Sequence, residues 1–173
     1  SNVLQEVASL LARHIVIWES RSRRNNMKIL LHACCGPCAC YPSEKLAADG
    51  KEFDILYFNP NIHPYKEFKQ RLATLREFCE KKQIALYIDK NYALEETVRG
   101  MVCEPTVRCA YCYRVRMRYA AKFAKENGYD AFSTTLLVSP YQKHALIIKE
   151  AEAAAEEFGI PFYYEDFRPG YQR

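Results

Sequence analysis

The sequence lacks the features that would quickly assign it to a common class of protein. It has no run of about 18 apolar residues, so no membrane-spanning helix is predicted. Its first residues do not show the basic, apolar and small-residue pattern of a secretory signal, and we therefore expect a cytoplasmic protein with no membrane partner. It also has neither a G-x-x-x-x-G-K nor a G-x-G-x-x-G motif, so neither a P-loop nor a Rossmann phosphate site is predicted.

A strong net charge is also missing. The 173 residues include 25 Lys and Arg against 21 Asp and Glu, a net charge of +4. So small an excess is a weak electrostatic argument for nucleic-acid binding. The 13 tyrosines allow two interpretations, stacking on bases or half-buried positions at the edge of a core, and both remain open.

The sequence does contain a regular alternation of short apolar segments and longer amphipathic ones. The predicted strands are residues 29–33, 53–59, 84–88, 131–135 and 161–164, and the predicted helices are residues 43–48, 65–82, 93–99, 112–127 and 141–158. Nearly continuous apolar strands are typical of a sheet buried on both faces. We predict an α/β fold, an open parallel sheet of about five strands in the order 3-2-1-4-5 with helices on both faces. Ligands bind such sheets at the carboxyl ends of the strands, where the strand order reverses.

The polar stretch that ends at Asn25-Asn26 divides the chain into two parts. Residues 3–19 have the pattern of an amphipathic helix, so we expect residues 1–26 to be a helical extension, either natural or introduced by cloning. Residues 27–173 carry all five predicted strands and are expected to form a single α/β catalytic domain.

Eight cysteines in a chain of alternating strands and helices indicate metal or redox chemistry rather than a disulfide scaffold. Two groups stand out, Cys34-Cys35-Gly36-Pro37-Cys38 after the first strand and Cys109-Ala110-Tyr111-Cys112 at a helix start. The helix dipole and the flanking Arg108 and Arg114 favour thiolate in the second group. Thiolates suit soft metals, so the two groups predict a shared iron–sulfur cluster or a zinc site. Five cysteines exceed the needs of a zinc tetrahedron, which favours a cluster and a spare thiol, although buried apolar roles stay open.

Individual residues near these groups allow competing interpretations. The side chains of the neighbours Cys34 and Cys35 are expected to diverge and therefore to serve two metal centres. His32 is equally well explained as a metal ligand or as a core histidine. Asp166 is the carboxylate best placed to approach a metal, or else a turn or helix-cap residue. Of the remaining cysteines, Cys40 is expected to pack behind the first loop, Cys79 in the core, and Cys103 to be a reserve ligand.

Five motifs in order, HACCGPC, YFNPNIHPYKEF, CEPTVRCAYCYRVRM, FSTTLLVSPYQKH and YYEDFRPGY, resemble the cobalamin-independent epoxyqueuosine reductases. The resemblance runs from Met27 to Tyr171. It implies a sheet related to the adenine-nucleotide α-hydrolase-like group, a 4Fe–4S cluster and an additional iron ion. It also implies reduction of the epoxide of epoxyqueuosine in tRNA to queuosine, the last step of queuosine biosynthesis, with electrons from an external donor. Residues 1–26 are an extension relative to this family, and the family's C-terminal Cys-Gly-Cys segment has no counterpart here.

The resemblance also implies roles for individual residues. Cys34, Cys35, Cys38, Cys109 and Cys112 match the family's cysteine positions, and Asp166 matches an aspartate expected at the additional iron, beside one thiolate of the Cys34/Cys35 pair. Weaker expectations for substrate binding fall on Asn59, Asn61, Arg108, Thr134, Ser139, Tyr141 and Arg168. Two rival functions remain open, a cluster-containing tRNA sulfur transferase, which needs ATP, and a zinc-stabilised nucleotide-binding protein.

Overall fold

The computed structural model describes residues 27–104 and 107–171. The predicted helix within residues 1–26 lies outside these ranges. The strands are β1 (Lys28–His32), β2 (Glu52–Phe58), β3 (Leu86–Asp89) and β4 (Ala131–Thr134); the helices are α1 (Gly36–Ala48), α2 (Tyr65–Lys82), α3 (Leu94–Cys103), α4 (Arg108–Glu126) and α5 (His144–Phe158). Short 3-10 helices cover Thr135–Val138 and Arg168–Gly170. None of the helices in the described ranges is long and apolar enough to cross a membrane.

The four strands form one parallel sheet in the order β3-β2-β1-β4. β1 is central, with Ile29 opposite Phe53 of β2 on one side and Ala131 of β4 on the other. Because side chains alternate along a strand, Ile29 and Leu31 face one helical layer and Leu30 faces the other. The predicted α/β class, parallel sheet and order of the first four strands are therefore confirmed.

The predicted fifth strand, residues 161–164, is reduced to a single parallel bridge between Phe132 and Phe162. Phe132 donates to the Pro161 carbonyl at 3.1 Å and accepts from the Tyr163 amide at 2.8 Å. The ladder stops there because β4 ends at Thr134, where the chain turns into a 3-10 helix. The sheet thus has four strands, although the bridge lies in the predicted position beside β4.

Helices cover both faces of the sheet. α1 and α2 pack over Ile29, Leu31 and Ile55. α4 and α5 pack over Leu30 and Leu56 on the opposite face. The two layers leave the carboxyl ends of the strands open, and the turns after β1, β2 and β4 meet at that edge.

The helix boundaries correct one expectation near the cysteines. α1 begins at Gly36, with Pro37 in its first turn, and not at residue 43. Pro42 directly precedes the predicted start at residue 43 and would suit a helix start, but it lies inside this helix. As a result, Cys38 and Cys40 are helical residues, and Cys38 belongs to the first turn.

Candidate metal centre

The turn between β1 and α1 brings the first cysteine group to the edge of the sheet. Cys34 lies in a bend two residues after the end of β1, and Cys35 is the extended N-cap residue of α1. The Gly36 amide donates to Thr74 Oγ1 of α2 at 3.2 Å. A Cβ at Gly36 would lie 2.5 Å from the Thr74 carbonyl oxygen, so only glycine lets the turn approach α2 this closely.

The sulfur atoms of Cys34, Cys35 and Cys38 converge. All three Sγ atoms lie within 4.8 Å of one another, and those of Cys34 and Cys35 are 3.8 Å apart. The expectation that the neighbouring Cys34 and Cys35 side chains diverge is therefore wrong. Side chains alternate within a strand, but β1 ends at His32 and the bend rotates the two thiols to the same side.

Hydrogen bonds among the three thiols determine how easily each one ionises. Hydrogen bonds from the Cys35 and Cys38 thiols hold the pKa of Cys34 well below its usual range, although its side chain is buried. The same bond raises the pKa of Cys35 to about 11, and bonds to Cys34 and Cys35 raise the pKa of Cys38. The group therefore accommodates one negative charge easily, and a bound cation is needed to displace its remaining protons.

Buried polar residues hold this turn in place. Asn59 Nδ2 donates to the Ala33 carbonyl at 3.0 Å, and the Cys34 amide donates to Thr135 Oγ1 at 3.4 Å. The two ring nitrogens of His32 lie 3.0 Å from Thr134 Oγ1 and from the Phe58 carbonyl oxygen. Because both ring nitrogens are occupied by these partners, His32 is a core histidine and not a metal ligand, and burial lowers its pKa to about 4. Asn59 and Thr134, both expected to bind substrate, instead connect the strand ends around Cys34.

The second cysteine group lies at the start of α4, as predicted, and lines an open cleft of about 350 Å³. Cys109 and Cys112 are half-buried there, beside Asn61 and Arg108. Burial raises the pKa of Cys112, while a hydrogen bond from the Asn61 side chain opposes this shift. Among the described residues only Cys34, Cys35 and Cys38 have ligand atoms within 4.8 Å of one another, so a cluster shared between the two cysteine groups stays a prediction. Asn61 and Arg108 do lie in the cleft, consistent with their expected role.

A charged residue that the sequence interpretation did not identify lies between the two cysteine groups. Arg116 is 6 % exposed, and its positive charge lowers the pKa of both Cys34 and Cys112. Arg114, expected to favour the thiolates, instead forms ion pairs with Glu104 and Glu150 at 3.0 and 3.1 Å. The spacing offered a signal, because Arg116 follows Cys112 by four residues and therefore shares its helix face.

The last predicted ligand, Asp166, forms a surface ion pair. Its carboxylate lies 2.6 and 2.8 Å from the guanidinium of Arg168, which holds the pKa of Asp166 at about 2. The 3-10 helix that follows, Arg168–Gly170, packs against the 3-10 helix Thr135–Val138 after β4, so Asp166 lies close to this edge of the sheet. Ser139 and Tyr141, both expected to bind substrate, lie in the turn after β4. The Ser139 hydroxyl oxygen accepts a hydrogen bond from the Tyr141 amide at 3.3 Å, and the Tyr141 side chain is 82 % exposed.

All eight cysteines are free thiols. Cys79 is buried in the core, as predicted, and Cys103 is exposed at the end of α3. Cys40 is also exposed and donates to the Gly36 carbonyl at 3.4 Å, so it does not pack behind the first loop as expected.

Comparisons with solved structures identify the same fold in proteins that act on tRNA. A chain described as a predicted subunit of tRNA methyltransferase from Methanocaldococcus jannaschii superposes with a TM-score of 0.58 at 11 % identity, covering 84 % of this chain and 71 % of that one. The U34-tRNA thiolase NcsA from Methanococcus maripaludis, solved with its [4Fe-4S] cluster, superposes with a TM-score of 0.51 at 16 % identity, covering 86 % and 62 %. At these identities the likeness establishes the fold alone.

Sequence comparisons identify the family. The chain is 34 % identical over 144 residues to the epoxyqueuosine reductase QueH of Dehalococcoides mccartyi, covering 83 % of this chain and 79 % of that protein. It is 39 % identical over 146 residues to the QueH of Acinetobacter baylyi, covering 82 % of this chain and 66 % of that protein, and it spans 58 % of the Histophilus somni relative. The family model described as epoxyqueuosine reductase QueH matches residues 29–173. The chain therefore belongs to the QueH family of epoxyqueuosine reductases.

Proposed function

We propose that this protein is an iron–sulfur oxidoreductase that reduces the epoxide of epoxyqueuosine in tRNA to the alkene of queuosine. The observation that carries the proposal is the convergence of Cys34, Cys35 and Cys38 at the carboxyl edge of a parallel sheet in a chain of this family. Removing the epoxide oxygen as water consumes an electron pair and two protons, and no amino-acid side chain supplies that electron pair repeatedly.

The residues present fit an iron–sulfur cofactor. Three sulfurs at mutual ligand spacing form a soft donor set, and the raised pKa values of Cys35 and Cys38 indicate that these two thiols need a cation before they ionise. Cys34, Cys35 and Cys38 would hold a 4Fe–4S cluster, with a further ligand from Cys109 or Cys112. We further propose an additional iron ion held by Asp166 and one thiolate of the Cys34/Cys35 pair. When bound, these groups supply single electrons and a Lewis acid for the epoxide oxygen.

The cleft at Cys109 and Cys112 is the proposed substrate site. Arg108 stands at its exposed rim, suited to a phosphate or a polar base edge. Asn61 and His63 line the wall, and Asn61 Oδ1 and both His63 ring nitrogens are buried without hydrogen-bond partners in the described chain. Unpaired polar atoms in a cleft wall favour a ligand rich in donors and acceptors, such as a modified nucleobase.

The proposed macromolecular partners are tRNA, carrying epoxyqueuosine in its anticodon, and an external electron donor. The cleft is open to solvent, so a nucleotide flipped out of an anticodon loop can enter it without opening the fold. Ser139, Tyr141 and Arg168 remain proposed contacts at the same edge of the sheet. In keeping with this chemistry, the proposed location is the cytoplasm.

The function is tested by an anaerobic assay of epoxide reduction in tRNA, using iron- and sulfide-reconstituted protein with a chemical reductant. We expect Cys34→Ala to lose bound iron and to reduce activity by at least about 100-fold, because it removes the buried centre of the thiol group. Cys40→Ala is the matched control, since this exposed thiol lies on α1, just after the cysteine group, and should leave activity within about twofold.

The rival functions have distinct outcomes in the same experiments. Zinc without iron or acid-labile sulfide would identify a structural zinc site, and ATP-dependent sulfur transfer to tRNA would identify a sulfur transferase. Full epoxide reduction by both Cys34→Ala and Cys35→Ala would contradict the proposal that this pair holds an iron centre.

A further inference from the structure

Arg116 carries a buried guanidinium whose charge is not balanced by any carboxylate of the described residues. It is 6 % exposed, and no carboxylate oxygen of the described residues lies within 4.0 Å of it. Its Nε donates to the Cys112 carbonyl at 3.0 Å, and the guanidinium carbon lies 5.7 Å from the centre of the Tyr113 ring. These neutral contacts do not compensate a full positive charge, and a buried charge that stays unpaired is strongly unfavourable.

The groups that face Arg116 identify the missing anion. The ionisable side chains that interact most strongly with its charge are Cys34, Cys112, Tyr113 and Arg71, and the charge also acts on His32, which is neutral. Arg71 is itself positive and is paired with Glu67 at 2.6 Å, so it cannot balance the charge of Arg116. The tyrosine stays neutral near pH 7, because burial raises the pKa of Tyr113. Only the thiols remain, and Cys34 and Cys112 belong to the two different cysteine groups.

We propose that Arg116 is a positioning residue that supplies the fixed counter-charge for the cysteine-ligated cluster and keeps its reduction potential high enough for an external donor. This inference rests on the proposed iron–sulfur function. Four thiolates give a 4Fe–4S cluster a net negative charge, which increases on reduction. A fixed positive charge in a water-poor site stabilises the reduced form more than the oxidised form.

A purely structural role predicts something different. If Arg116 only tethers the Cys112 carbonyl, its removal weakens folding or cluster retention but leaves the potential of any cluster that does assemble unchanged. The two roles are separated by Arg116→Gln, which removes the charge while keeping hydrogen-bond donors, and by Arg116→Lys, which keeps the charge but loses the planar fork. Arg118→Gln is the matched control, because this arginine lies on the same helix, is exposed and pairs with Glu157.

The test is an anaerobic redox titration followed by electron paramagnetic resonance, with iron and acid-labile sulfide measured on each sample. We expect the one-electron reduction equilibrium of Arg116→Gln to fall at least tenfold, which is about 59 mV more negative. For Arg116→Lys and Arg118→Gln, the reduction equilibrium should stay within about threefold of that of the unsubstituted protein. A threefold change corresponds to less than half of the 59 mV shift.

Three results decide the outcome. A loaded Arg116→Gln protein with an unchanged potential would overturn the counter-charge role. If Arg116→Gln does not assemble a cluster, Arg116→Lys decides: a cluster that assembles in Arg116→Lys with a shift below threefold would support the charge role, whereas no cluster in either variant, or a tenfold shift in Arg116→Lys, would overturn it. Unchanged protein that takes up no iron and sulfide would instead overturn the proposed cluster itself, and the role of Arg116 with it.

Discussion

At the residue scale, the site depends on how closely backbone and side chains approach at a few positions. Gly36 is the clearest case, because its amide bonds Thr74 and its Cα faces the α2 backbone. The sulfur convergence follows from this approach, since Cys35 and Cys38 lie on either side of the glycine. The spacing of these sulfur atoms therefore depends on the close approach to α2 that Gly36 allows.

Gly36→Ala is expected to destabilise the protein by about 3 kcal/mol and to lower iron uptake, because the new Cβ would press on the Thr74 carbonyl. Urea unfolding and iron analysis after anaerobic reconstitution measure both effects. Gly50→Ala is the control: it has φ of +66° but open space, so it should cost about 1 kcal/mol without changing iron uptake. Equal iron uptake by the two variants would contradict the packing argument.

Tyr119 gives a prediction for alkaline pH. It stacks on Phe58 and donates to Asp89 at 2.8 Å, and burial together with this carboxylate raises its pKa to about 12. A tyrosine whose pKa is raised on folding stabilises the native state below its ordinary pKa of 10, and this contribution is lost as the pH rises towards 12. Between pH 10 and 12 the Tyr119→Phe variant should therefore lose less unfolding free energy than the unsubstituted protein, as measured by urea denaturation. An unchanged slope would contradict the assignment.

At the scale of secondary-structure elements, the placement of α4 decides where the second cysteine group lies. Tyr111, between Cys109 and Cys112, packs on Gly100 of α3 and donates to the Glu96 carbonyl at 3.1 Å. A Cβ at Gly100 would lie 2.0 Å from the Tyr111 ring. This packing of α3 against α4 fixes the orientation of the Cys109–Cys112 turn.

Gly100→Ala is accordingly expected to destabilise the protein by about 2 kcal/mol by displacing the Tyr111 ring. Adding Tyr111→Ala removes the clash, so the double variant should be more stable than the sum of the single changes predicts, by about 1 kcal/mol. Thermal or urea unfolding of the four proteins measures this coupling. Additive effects would show that the two residues do not act on each other.

Most elements could be predicted from sequence periodicity, because strands buried on both faces and amphipathic helices leave distinct patterns. The prediction failed where tertiary contacts override local signals. The first helix was placed too late because Pro42 suggests a helix start, yet Pro37 already occupies the first turn. The four-residue spacing predicts that Arg116 shares a helix face with Cys112, but its burial without a carboxylate partner depends on how α4 packs in the fold, which the spacing does not record.

At the scale of the whole molecule, the low net charge does not prevent RNA binding, because some basic side chains of the described residues form no ion pair and can contact phosphates. Lys66 and Lys69 at the start of α2 form no ion pair among the described residues, and Lys69 lies 5.8 Å from the centre of the Tyr65 ring. Tyr65 is 54 % exposed. The adjoining Glu67 and His63 line the cleft itself, so this surface suits the backbone and bases of the proposed tRNA substrate.

Replacing both Lys66 and Lys69 with Glu should weaken tRNA binding at least about tenfold and lower the slope of log K against log salt by about 0.7–0.9 for each phosphate that the variant no longer neutralises. Filter binding or anisotropy at several salt concentrations measures both quantities. Lys82→Glu with Lys122→Glu is a control of equal net charge, because Lys82 lies at the opposite end of α2 and Lys122 lines a different pocket, and its affinity should stay within about twofold. Equal weakening by both pairs would indicate a nonspecific charge effect.

The central claim is that the thiols of Cys34, Cys35 and Cys38 hold an iron–sulfur cluster. The most direct test is a Mössbauer spectrum, with iron and acid-labile sulfide analysis, of protein reconstituted anaerobically with iron-57. We predict the quadrupole doublets of a 4Fe–4S cluster together with a separate iron site, and loss of the cluster signal in Cys34→Ala. A spectrum without cluster iron, or a cluster that survives unchanged in Cys34→Ala, Cys35→Ala and Cys38→Ala, would contradict the account.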